Sequence, residues 1–500
     1  MARARADGGG WLVGGVVFVT FLCYSPVLFF EYGFSEDYRL LAAAERGVGL
    51  SRLMLAEGRP LFAVWAKVVF GAVGGISGLA AVRFTSIALL AGLAVLMAAV
   101  WRRAGLTGFE AAAAGAAMVT LPPFQLFAGT AAMGAVLPAM LAAIGAALLA
   151  DGEAGREGGP RAGQLAAASL LALAALVTYQ PSGLFFWVVV GVLLIAPDPP
   201  PRILQRKLLI LAGTAMPAMI GAFAIYLAGR SAFPAELIDI AAPRALLEFD
   251  PVGKAKWFLT LPLPHALNLW KLWPSLPFAM VMVIVVAAGI GLHVRGRKDA
   301  WLRAALAIAL VPVCYLPNLV IAEDRSSFRS QPALAAIVFV YIVIVLLGQF
   351  AGSRRWIAHT MLAAGVVAGA ASASRNVVAL IASPQARELA LVRETISGLT
   401  RDGGSSTLPT TTDPAAQPPG VRLVGIVPSD YRDSLAPVVL YDEFGYPSTA
   451  LPWSAFTLTW LVLAERMQGD TAAFHVTDAR DAAVVPDTVI DWGEVLRTGR

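Results

Sequence analysis

Two carboxylates stand side by side at Glu36 and Asp37, in a charged interlude (residues 31–60) that follows the first apolar run of the chain. The aromatic residues Tyr32, Phe34 and Tyr38 flank them, and the interlude closes on Gly58-Arg59-Pro60. A carboxylate so placed can take a proton from an attacking hydroxyl. A departing phosphate would then need positive charge, and a guanidinium fork matches its oxygens with two parallel bonds. Arg59 is one candidate. Arg325 and Arg329 are two more, four apart and on one face if their loop is helical. A divalent cation (Mg or Mn) could share the task, with Asp37 as an oxygen ligand. Each feature also has a plainer reading. Ser35 can cap a helix starting at Glu36, whose dipole favours acidic residues in its first turn by roughly 0.3 to 1 kcal/mol. An interfacial arginine can simply meet lipid headgroups.

The elements that must position these groups follow from composition. Of 500 residues, 58% are hydrophobic and 14% charged, which leaves too little polar surface to cover a soluble globule. Apolar runs of about 20 residues recur, the length a helix needs to cross about 30 Å of hydrocarbon, and backbone groups in lipid must pair internally. The expectation is an all-α polytopic membrane domain over residues 1–374, followed by a small mixed α/β domain over residues 375–500. The basic start and its apolar sequel lack a small-residue cleavage site and read as a retained anchor. Cys23 and Cys314 both lie in apolar runs, so neither a disulfide framework nor a thiolate metal site is indicated. Net charge is +5, yet residues 375–500 hold ten Arg against fifteen Asp or Glu, so the basic excess belongs to the membrane part. Neither part has the dense basic face of a nucleic-acid binder, and no nucleic-acid partner is expected.

About eleven crossings are expected: the first apolar run, then 82–101, 109–127, 130–150, 164–180, 182–196, 208–228, 276–294, 304–322, 333–350 and 356–374. Residues 61–80 are long enough to cross, but orientation decides against it. With that segment lying in the outer interface, the basic loops fall on the side of Arg3 and Arg5, as the positive-inside rule prefers. Those loops hold Arg102-Arg103, Arg156 with Arg161, Arg202 with Arg206 and Lys207, Arg295 to Arg303, and Arg354-Arg355. An odd number of crossings then places the tail from Arg375 outside. Four outer segments result: residues 31–81, the Tyr179-Gln180-Pro181-Ser182 turn, residues 229–275, and Glu323 to Arg329. Trp257, Trp270 and Trp273 suit the headgroup layer, and His265 is the histidine placed near the carboxylate pair. Small-residue runs at 111–117 and 142–150 let helix backbones approach closely. Beyond a linker-like stretch at 402–419, residues 421–428, 437–445, 472–479 and 483–491 read as short strands, with a helix near 456–467.

SEDY (35–38), GRPL (58–61) and YQP (179–181) resemble motifs of the GT-C superfamily of membrane glycosyltransferases, in particular its Gtr-type O-antigen glucosyltransferase branch. The resemblance spans about residues 10–375, and YDEFGYPS (441–448) also resembles the tails of such proteins, with no role assigned to it. It implies transfer of one hexose from a polyprenyl-phosphate sugar to a glycan or lipid-linked acceptor, at the outer face of a bacterial cytoplasmic membrane. Asp37 would be the base or metal ligand, Glu36 its partner, and Arg59 a phosphate or scaffold contact. Arg325 and Arg329 would bind phosphate by their place in the topology, and Tyr38, Tyr179, Gln180 and His265 would contact substrate. A single base with a good leaving group suggests inversion. Two rivals stand beside this reading. One is a transporter or flippase of lipid-linked saccharides, a class that usually shows half-molecule repeats and polar residues near midplane. The other is an envelope polysaccharide polymerase or ligase with a diphosphate-linked donor.

Overall fold

Long apolar stretches fold as helices wherever proline and glycine do not interrupt them, and the structure is 80% helical. The computed structural model describes residues 9–46, 50–154, 160–195, 201–232, 248–273, 275–297, 299–324, 326–401, 422–439, 443–467, 474–479, 486 and 488–499. Seven helices among them are long and apolar enough to cross a membrane: Gly10–Phe29, Ile76–Arg103, Ala132–Ala154, Arg202–Ala232, Leu276–Val294, Pro332–Gln349 and Gly352–Leu399. An eighth is added if the bent pair Gly108–Met118 and Pro122–Gly129 is one span. By length and composition seven or eight of the eleven expected crossings qualify. The remaining three expected crossings are also helical, but as Ala162–Thr178, Gln180–Ile195 and Ala300–Val313, of 10–17 residues. These fall short of the roughly 20 residues a span needs.

Residues 61–80 do not form one helix. Pro60–Val73 is 14 residues long and stops at Gly74 in the left-handed region, φ 68°. A 3-10 turn at Ile76–Gly78 then leads into Leu79–Arg103. At about 1.5 Å per residue the first piece reaches roughly 21 Å, too short to cross alone.

The 64° bend between Gly108–Met118 and Pro122–Gly129 has a local cause. Pro122 and Pro123 supply no backbone N–H, and each disfavours a helical residue before it. Carbonyls at the break find other partners: Tyr24 donates its hydroxyl to Val119 O, freed by Pro123, at 2.7 Å, and Gln125 Nε2 donates to Thr120 O at 2.8 Å. Within the first arm, a Cβ on Gly115 would meet Ala94 O at 2.4 Å, so helices Leu79–Arg103 and Gly108–Met118 touch backbone to backbone there. Gly145, in the second small-residue run, faces open space.

Polar contacts sort the bundle into two ends. At one end Lys207 pairs with Asp151 (2.6 Å), Arg303 with Asp299 (2.9 Å) and with Leu194 O (3.0 Å), and Arg355 with Glu110 (2.6 Å). These tie the expected basic loops together. The opposite end gathers the first loop, the bend at residues 129–132, the turn at Thr178–Gln180 and residues 326–331.

The boundary expected at residue 375 lies inside a helix that runs from Arg355, through a π turn at Val378–Ala382, to Arg401. Further on, three parallel strands pair in the order β2-β1-β3, with β1 Arg422–Val427, β2 Phe474–Asp478 and β3 Thr488–Asp491. No strand forms in the described residues of 437–445, where Phe444 makes a single bridge between turn and bend; residues 440–442 lie outside the description. This part docks on the first loop. Arg39 lies over the Trp453 ring (5.3 Å) and Arg46 over Trp460 (3.8 Å), while Arg393 bridges Glu31 (2.8 Å) and Glu465 (3.0 Å).

Candidate functional site

The first loop is held by its own polar groups before any site exists. Arg83, buried near the start of a long helix, donates to Tyr32 O at 2.7 Å and to Phe30 O at 3.0 Å, and its guanidinium lies over the Tyr32 ring. Tyr32 donates its hydroxyl to Gly129 O at 2.7 Å. Tyr38 is fully buried and its hydroxyl accepts the Gly33 N–H at 3.0 Å; a Cβ on Gly33 would meet the Tyr38 ring at 2.7 Å.

Asp37 belongs to this scaffold. It has no exposed surface, and its carboxylate accepts the N–H groups of Phe34 (2.9 Å), Ala131 (3.2 Å) and Ala132 (2.6 Å). The turn that follows helix Pro122–Gly129 thus delivers two amides to the first loop. Burial pushes Asp37 up to about 6, against the pull of those amides and of the Arg83 charge. With both oxygens engaged, it fits a resident divalent cation poorly, and among the described residues no three His, Cys, Asp or Glu converge.

Glu36 faces the other way. It lines a narrow cavity of about 20 Å³, partly open to solvent, whose polar wall is Ser35, Glu36, Thr130, Arg329 and Glu443 and whose apolar wall includes Phe34, Leu126 and Met133. Arg329 Nη1 donates to Glu36 Oε1 at 2.7 Å, with the two side chains 20% and 33% exposed. Residues 35 and 36 are brought there by strained backbone: Ser35 has φ 46°, in the left-handed region.

The other expected residues separate into two groups. Arg59 gives Nε to Gln180 Oε1 at 3.0 Å, pairs with Glu57 at 2.9 Å, and lies over the Tyr179 ring at 4.9 Å. Its fork is engaged in scaffolding. Tyr179 donates its hydroxyl to Arg329 O at 3.4 Å. His265 is stacked on Phe328, with Nδ1 3.5 Å from the Ser326 hydroxyl; burial lowers its pKa to about 4, so it is neutral at pH 7. Arg325 lies outside the described residues.

Two contributors are absent from the sequence-derived set. Arg83 carried a signal, a lone charge inside an apolar run, which in a membrane segment is a functional hypothesis by default. Glu443 lies in YDEFGYPS, and nothing local links it to Arg329. Fold and cavity together define an α-helical multi-pass membrane protein with a site of opposed carboxylate and guanidinium groups at one end. No protein-family model and no curated protein matches the chain.

Proposed function

We propose that the chain is a membrane glycosyltransferase, moving a hexose from a polyprenyl-phosphate sugar to a glycan or lipid-linked acceptor at the outer face of a bacterial cytoplasmic membrane. The observation that carries this reading is the 2.7 Å pairing of Glu36 with Arg329 in a cavity that is charged on one wall and apolar on the other. An isoprenoid phosphate has the same division. Its phosphate competes with Glu36 for the Arg329 fork, which frees the carboxylate. Glu36 then accepts the proton of the acceptor hydroxyl as that oxygen attacks the anomeric carbon. The bond from that carbon to the phosphate oxygen breaks, and the electron pair leaves on polyprenyl phosphate, stabilised by Arg329. Attack from the face opposite the leaving group inverts the anomeric centre. Asp37, the base suggested by the motif, acts here by fixing the loop that presents Glu36.

The test uses purified full-length protein, radiolabelled polyprenyl-phosphate glucose, galactose and mannose, and lipid-linked glycans extracted from membranes as acceptors. Glu36→Gln should lower kcat by about 10² to 10⁴-fold. Undiminished transfer by that variant would remove the proposed base. Translocation of the donor lipid across vesicles with no glycosidic product would instead favour the flippase.

A further inference from the structure

The structure assigns a role to two residues near the end of the chain: Glu443 and Ser448 are positioning residues that hold Arg329 and Glu36 against each other across the cavity. Their catalytic consequence rests on the transfer reading above; their geometry does not.

On the Arg329 side, the Glu443 carboxylate accepts from the Ser327 hydroxyl, from Phe328 N–H at 2.6 Å and from Arg329 N–H at 3.1 Å. A three-residue turn therefore closes around one carboxylate, and Phe444 packs edge-on against Phe328 at 5.6 Å. On the Glu36 side, the Ser448 hydroxyl accepts the Ser35 N–H at 2.9 Å, at the residue whose backbone is strained. Ser448 is itself fixed: its hydroxyl donates to Gln385 Oε1 at 2.6 Å and its N–H to Glu388 at 2.9 Å. One short segment, anchored on helix Ser383–Arg401, thus grips both walls of the cavity. Glu36 and Arg329 are 293 residues apart in the chain. A partly exposed ion pair between them is too weak to fix their geometry unaided, and rate depends steeply on such placement.

The experiment takes full-length protein in lipid nanodiscs and compares wild type with Glu443→Ala, Glu443→Gln and Ser448→Ala. Amide hydrogen exchange should accelerate at Phe328 and Arg329 in Glu443→Ala, and at Ser35 in Ser448→Ala, by about tenfold or more. With radiolabelled polyprenyl-phosphate hexose, kcat should fall about tenfold to a hundredfold in both, with donor KM within about twofold. Glu443→Gln keeps an acceptor oxygen and should recover part of each loss. Unchanged exchange would remove the clamp, and faster exchange with unchanged kcat would reduce the segment to a structural strap. A wild type that transfers none of the tested hexoses overturns the transfer reading, while the exchange arm still decides the clamp.

Discussion

Consecutive residues on a helix point about 100° apart, so the members of an adjacent acidic pair meet different neighbours. The sequence made Glu36 and Asp37 stand out as a pair, but their division of labour depends on which neighbours wait on each side. Asp37 turns inward to three amides, and Glu36 turns to Arg329. The buried member carries a pH signature. Its folded pKa of about 6 lies above the ordinary aspartate value of 3.8. Between those values the folded state binds the proton more tightly than the unfolded chain. The group's stabilising contribution is therefore complete below that window and is lost as pH rises through 6. The shift corresponds to roughly 3 kcal/mol. Asp37→Asn has no such titration, so the stability of wild type relative to this variant should fall as pH is raised from 4 to 7. Denaturant unfolding in detergent at a series of pH values measures it, and a constant difference would mean that the carboxyl titrates as it does in water.

Among the elements, what the sequence could deliver was set by how local the cause is. Each expected crossing coincides with helix, because apolarity and the absence of breakers are read within one stretch. Helix length was less accessible. Phe185–Ile195 is buried along almost its whole length by neighbouring helices, and a helix shielded from lipid need not match the bilayer's thickness. The failed strand at 437–445 has a non-local cause too. Glu443 and Gly445 are pulled out of line, one by the turn at Ser327–Arg329 and the other by a hydrogen bond from its N–H to Leu380 O at 2.7 Å. The anchor of that segment is open to test. Glu388, 2% exposed, accepts Ser448 N–H, Thr449 N–H (2.8 Å) and the Thr449 hydroxyl (2.6 Å). Glu388→Ala would leave two buried amides without an acceptor, while the Thr449 hydroxyl can turn to Ser429 (2.8 Å), at a cost of about 2 kcal/mol or more. Limited proteolysis should then cut within residues 422–467 faster than in wild type, while helices of the bundle stay protected. Equal cleavage rates would show that the segment is held by other contacts.

Over the whole molecule, helices that alternate in direction carry the basic loops to one end and the cavity to the other. The order of Lys and Arg along the chain leads to the same expectation through the positive-inside rule, which needs only sequence. The pairings Lys207 with Asp151 and Arg355 with Glu110 bind the basic end together. Lys254 with Asp324 (2.7 Å) and Arg329 with Glu36 lie at the other. Orientation relative to the cell follows if the basic end is cytoplasmic, and single cysteines can read it. The native Cys23 and Cys314 are buried and should give little background. Lys256, exposed on helix Pro251–Thr260 beside Lys254, marks the cavity end, and exposed Arg354 marks the basic end. In intact cells a membrane-impermeant maleimide should label Lys256→Cys directly and Arg354→Cys only after permeabilisation. The reverse pattern would put the cavity in the cytoplasm and remove the outer-face transfer reading. Labelling of both from outside would put the two positions on one side, as the two long spans between them (Leu276–Val294 and Pro332–Gln349) do if Ala300–Val313 does not cross, and would remove the orientation drawn from the basic loops.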